Sequence, residues 1–182
     1  MRHVALVAIF VFVSAGAFSQ SHYQPYSEFR SRTIKALSEQ QIADLRAGRG
    51  MSLALAAELN GYPGPLHAIE HANALALTPP QLSRMQHLFD EMKREAVALG
   101  ERLISQEAEL DRSFAAKSVT SQTLVDTVTE IGKTQAELRA THLRYHLLAV
   151  EVLTPDQLQH YARLRGYSGS PEDLHRGHPH QR

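Results

Sequence analysis

Eleven histidines stand in this chain of 182 residues, and four of them are paired at helical spacing: His67 with His71, and His142 with His146. On a helix, residues i and i+4 leave the same face one turn apart, so two imidazoles can share one ion. Imidazole nitrogen suits zinc, nickel, cobalt and copper, so the pairs point to a divalent transition metal. A plainer origin competes: a histidine on an apolar helix face is also a polar core residue, hydrogen-bonded to a neighbouring acid. His67-Ala68-Ile69-Glu70-His71 further spells H-x-x-E-H, the string in which inverzincin proteases use the glutamate as general base to a zinc-bound water. Such a protease needs a larger domain with a substrate cleft. No Ser–His–Asp set, glycine-rich phosphate loop or cysteine nucleophile accompanies the string, so no enzymatic activity is expected.

The bulk composition narrows what these residues can serve. Lysine plus arginine equals aspartate plus glutamate, 19 against 19, so the chain has no global field to draw it to nucleic acid. Hydrophobic residues make up 43% and charged residues 21%, which suits a globular domain rather than a disordered chain. Cysteine is absent, so stability must come from the core or from a second subunit. Residues 1–19 have the order of a secretory signal: Arg2 and His3, an apolar run from Val4 to Val13, then Ser14-Ala15-Gly16-Ala17. Cleavage after Ala17 or after Ser19 satisfies the small-residue rule, and an uncleaved anchor is the competing reading. The expected location is therefore periplasmic. If cleavage follows Ser19, the new terminus Gln20-Ser21-His22 can enclose Cu(II) or Ni(II) in a square plane.

The elements that must position the histidines are all helical. Residues 20–37 lack periodicity and are expected to form an extended arm. The helical domain is expected over 38–167, with short helices at 39–47, 51–59 and 66–77. Ser38 and Gln41 form a capping box for the first, and Gly48 and Gly50 stop it. Thr78-Pro79-Pro80-Gln81 then opens a helix that no proline interrupts before Lys117, about 37 residues and roughly 55 Å long. Its apolar positions, Leu82, Met85, Phe89, Met92, Ala96, Leu99, Leu103 and Leu110, alternate in steps of three and four, with Gln106 in the missing place and Gly100 the weak point. After a polar turn, Leu124, Val128, Ile131, Gln135, Leu138, His142, Tyr145, Ala149 and Val152 repeat that spacing. Two long helices, 79–116 and 121–152, joined by a short turn make an antiparallel hairpin. A last helix is expected at 155–165 and a disordered tail at 168–182, whose His175, His178 and His180 add only loose metal affinity. With the turn near residues 118–119, His142 faces Glu95 and His146 faces Glu91, and His87 lies one turn further along. Glu91 and Glu95 are thus the candidate carboxylate ligands.

Leu77-Thr78-Pro79-Pro80-Gln81 and Leu153-Thr154-Pro155-Asp156-Gln157 are two copies of Leu-Thr-x-x-Gln, each opening a helix beside the hairpin. In this the chain resembles the Spy/CpxP family, over roughly Leu66 to Tyr167; Asn60-Gly61-Tyr62-Pro63-Gly64-Pro65 lies outside that match. The resemblance implies a small all-α periplasmic fold with paired motifs at Leu77, Thr78, Gln81, Leu153, Thr154 and Gln157. Its members include stress chaperones and periplasmic heavy-metal sensors. The sensor pattern implies a histidine pair before the hairpin, a later histidine or histidine–methionine pair, and a carboxylate from the first arm, which by position points to His67, His71, His142 and His146. Metal sensing or resistance is the leading expectation. The alternative is a chaperone or envelope-stress adaptor that binds unfolded clients, against which the neutral charge weighs, although Arg84, Lys93, Arg94 and Arg102 could form a local basic patch. A hairpin poor in aromatics buries little surface alone, so a homodimer is expected, with an envelope signalling partner on the sensing reading.

Overall fold

A computed structural model describes residues 26–167. The expected signal segment, the Gln20-Ser21-His22 terminus and the tail histidines lie outside them. A 3-10 turn (Ser27–Ser31) is followed by α1 (Glu39–Arg46), α2 (Leu55–Glu58), α3 (Pro65–Glu70), α4 (Pro79–Ala115), α5 (Ser121–Val150) and α6 (Pro155–Leu164). Helices α4 and α5 fold back on each other as a long antiparallel hairpin; α1 and α3 pack on α4, and α2 lies against α5. No described helix is long and apolar enough to cross a membrane.

Reciprocal capping boxes start four of these helices, at Ser38, Thr78, Thr120 and Thr154. In each, a hydroxyl accepts the N–H three residues on, while that residue's side chain accepts the cap's own N–H, satisfying two donors the helix would otherwise orphan. At Thr78 and Thr154 the glutamines do more than cap. The Gln81 amide nitrogen donates to the Val152 carbonyl (2.9 Å) and to Gln157 Oε1 (2.8 Å). Gln157 returns the pairing to Gln81 Oε1 (3.1 Å) and donates to the Leu75 carbonyl (3.2 Å). The two Leu-Thr-x-x-Gln motifs therefore clasp one another across the open end of the hairpin. Leu153 is buried and Leu77 packs beside it.

The core falls into two clusters along the hairpin. Nearer its turn, Leu103, Ile104, Ile131 and Leu138 pack with Ile42 and Leu45 of α1 and with Ile34 and Leu37. At the open end, Met85, Leu88, Met92, Tyr145 and Ala149 pack with Ala68, Leu75 and Tyr161. Gly100 sits where α1 meets α4: a Cβ there would stand 2.6 Å from the Leu45 carbonyl oxygen, so only glycine permits this approach.

Several expectations need correction. Residues 26–37 are not a loose arm, because Ile34 and Leu37 are buried and bridge to each other. The second short helix is confined to Leu55–Glu58; Met51 and Ser52 take positive φ (41° and 67°), which breaks a helix before it can start. The third ends at Glu70 rather than residue 77, and turns carry the chain onward, with Ala76 at φ 48°. The buried stripe is also wider than a two-helix seam. Leu88, Ile104, Thr134, Thr141 and His146 are buried, whereas Val128 and Gln135 are exposed. The cause is that α1 and α3 cover a second side of the hairpin, while nothing among the described residues covers its tip.

Candidate metal centre

Along α5 the one-turn spacing of His142 and His146 holds, and both rings are buried, 2% and 8% exposed. They line a cavity of about 320 Å³ whose other walls come from the Gly50–Leu55 turn, Gly64 and His67 at the start of α3, Met92 of α4, and Arg165 and Tyr167 beyond α6. Glycine backbone comes close to both rings. A Cβ on Gly64 would stand 3.0 Å from His146 Cε1 and 3.1 Å from its Nε2, and one on Gly50 would stand 3.7 Å from His142 Nδ1.

His146 Nδ1 lies 2.6 Å from the Tyr62 carbonyl oxygen. A carbonyl only accepts, so Nδ1 donates its proton there and Nε2 is the nitrogen left for a ligand. This is how a metal-ligating histidine is commonly oriented, its second nitrogen donating to a carbonyl. His142 Nε2 is fully buried and has no protein hydrogen-bond partner. Burial, with the nearby His146 adding to it, holds the His142 imidazole below its ordinary pKa, which favours its neutral form. An unpartnered polar nitrogen inside a protein costs about 1–3 kcal/mol, which packing alone does not explain.

The carboxylate in this cavity is Glu58, 5% exposed. Its Oε2 accepts the Gly64 N–H (3.2 Å) and lies 3.8 Å from His146 Nδ1. Oε1 accepts from the hydroxyls of Tyr161 and Tyr167 and is 3.3 Å from Arg165 Nε. Burial and the bond to Glu58 push the Tyr161 hydroxyl well above its ordinary pKa, so it stays a donor. Glu58 therefore ties α2, α3 and the segment after α6 into one shell behind His146. It has no oxygen left without a partner.

The other sequence-derived candidates are placed differently. His67 lines the cavity wall with its Nδ1 2.9 Å from Glu70 Oε2. His71, the C-cap of α3, keeps the one-turn relation, its N–H bonded to the His67 carbonyl (3.1 Å), but it does not line the cavity; its ring meets Tyr161 edge-on at 6.3 Å. Glu91 pairs with His87 (3.2 Å) and Arg94 (3.9 Å). Glu95 accepts from the Tyr145 hydroxyl (2.8 Å) and pairs with Arg144. Neither acid faces the cavity, so the register from a turn at 118–119 misassigns the carboxylate. Among the described residues, no three His, Cys, Asp or Glu side chains are grouped to hold an ion. What the cavity does offer is two buried imidazoles, a third at its wall and two thioethers, a donor set that fits a transition metal rather than calcium or magnesium. Glu58 was missed, although a lone acid in the run Leu53–Leu59, just before Asn60-Gly61-Tyr62-Pro63-Gly64, was a readable signal.

Compared with known families, residues 50–160 match the model of a heavy-metal resistance family. No curated protein and no solved structure matches the chain.

Proposed function

The chain belongs to the heavy-metal resistance family, within the Spy/CpxP-like Leu-Thr-x-x-Gln helical proteins, and from that premise we propose that it captures a transition-metal cation at His142 and His146. The observation that carries this is the buried His142 Nε2 without a protein partner, one turn from an imidazole whose Nε2 lone pair is fixed by the Tyr62 carbonyl. A bound ion would supply the missing partner as a Lewis acid. Burial keeps the His142 ring neutral, so an ion need displace no proton from it. His67 lines the same cavity but is held by Glu70. Glu58 holds the His146 side of the shell and is too fully bonded to serve as a general base, which supports binding rather than catalysis.

In this reading the protein is exported and works in the periplasm as a resistance or sensing accessory, paired as a homodimer and coupled to an envelope partner. Titration calorimetry of the full chain with Zn(II), Ni(II), Co(II) and Cu(II) tests it. The His142→Leu/His146→Leu double variant should lose the tightest site while keeping any weak binding by the other histidines. Identical isotherms for the two proteins would reject the proposal.

A second reading has one observation in its favour. Leu55, Leu59, Tyr62 and Leu66 are exposed large apolar residues within a short stretch of chain, a surface suited to unfolded clients. Suppression of aggregation of a denatured test protein at equimolar ratio, lost in Leu55→Ser/Leu59→Ser, would favour a chaperone. No suppression would remove that reading.

A further inference from the structure

The cavity also bears on the class of ion. Past Met1 the chain has three methionines, and two of them, Met51 and Met92, line this one cavity. Met92 is buried at its inner wall and Met51 sits at the rim, 36% exposed. With no cysteine in the chain, these two thioethers are the sulfur donors of the cavity lining. Thioether sulfur is a soft ligand that favours Cu(I) over the harder divalent ions, whereas zinc sites are built from thiolate, imidazole and carboxylate.

Charge points the same way. The fixed charges facing the cavity are Glu58 and Arg165, and they are paired with each other. The two methionine thioethers carry no charge, so among the lining side chains only Glu58 could supply a balancing negative charge. A divalent ion entering such a site keeps its full charge, and because the solvation cost of an ion grows as the square of its charge, that cost is about four times that of a monovalent ion. A free carboxylate would offset that cost for a divalent ion. Here the carboxylate is occupied.

Resting on the assignment of the metal site to His142 and His146, we infer that the resident cargo is a soft monovalent ion, Cu(I) or Ag(I), held by His142, His146 and the Met92 sulfur with Met51 closing over it. Met51 is well placed for closure: it begins the positive-φ pair that leads from Gly50, whose backbone lies against His142, into α2.

Ag(I) is the redox-inert probe, and Cu(I) is presented anaerobically in competition with a chromophoric chelator. Met92→Leu, which conserves volume and packing, should weaken Ag(I) and Cu(I) binding by about tenfold or more while leaving Zn(II) affinity within about twofold. Met51→Leu, at the rim and free of any folding risk from the core, should weaken Ag(I) in the same direction. X-ray absorption at the silver or copper edge should show a sulfur scatterer that Met92→Leu removes. Ag(I) affinity unchanged in both variants, with Zn(II) or Ni(II) still held through His142 and His146, would overturn this inference and leave the metal assignment standing. No ion depending on His142 or His146 would overturn both.

Discussion

Replacing His142 with leucine should make the metal-free protein more stable while destroying its tight metal site. The wild-type ring is 2% exposed and keeps a buried nitrogen without a protein partner, a burden of about 1–3 kcal/mol. Leucine fills most of the same space against the Gly50 backbone, and hydrophobic swaps of similar volume lose less than about 1.5 kcal/mol to misfit. The expected net gain is about 1–2 kcal/mol, raising Tm by roughly 3–6 °C for a chain of this length. The gain should depend on pH. Because burial lowers the His142 pKa in the folded state, the unfolded chain binds more protons below the ordinary value of 6.5. Wild-type stability therefore falls as pH drops through 6.5, that part of the fall is absent in His142→Leu, and the gap widens in acid. With metal at about 100 times Kd the wild type recovers about 2.7 kcal/mol and overtakes the variant. Urea and thermal melts followed by circular dichroism, in chelator and then in metal, between pH 7.5 and 5.5 measure all three effects. A His142→Leu protein that is less stable than wild type in chelator by 1 kcal/mol or more would refute the reasoning, for it would show that the ring is a satisfied core residue.

Gly64→Ala leaves the backbone relaxed (φ −78°) but presses a methyl onto the His146 ring, so metal affinity should fall about tenfold by calorimetry with the fold unchanged. Glu58→Gln breaks a buried ion pair and should cost about 3–5 kcal/mol in urea unfolding, with proteolysis appearing first in α6. Gly100→Ala gains about 1 kcal/mol of helix propensity. It should nevertheless be destabilising in a thermal melt, because its methyl meets the rigid Leu45 carbonyl. Glu95→Gln should leave metal affinity unchanged, since Glu95 is engaged by Tyr145 and Arg144 away from the cavity.

Local chemistry in the sequence determined where the helices begin. Ser38, Thr78, Thr120 and Thr154, each followed three residues later by a hydroxyl or amide side chain, became capping boxes, and the two proline-bearing copies opened α4 and α6. The step of three and four fixed the hairpin, and with it the one-turn pairing of His142 and His146 on α5. These features are legible because capping and periodicity act within a few residues. The His67–His71 spacing was read the same way and its helical bond is present, but only His67 of the two lines the cavity, because spacing does not say which face of a short helix a cavity meets.

Only the tertiary structure decided what surrounds the histidines. Glu58, Gly50, Gly64 and Met92 reach the cavity from separate segments, and Gln81 and Gln157 meet although 76 positions separate them. Whether a polar atom is satisfied depends on every chain that packs against it, and spacing along one helix carries no record of those neighbours. The carboxylate register shows the same limit. A small error at the turn moved the expected partners of His142 and His146 to acids that face Tyr145, Arg144 and His87 instead.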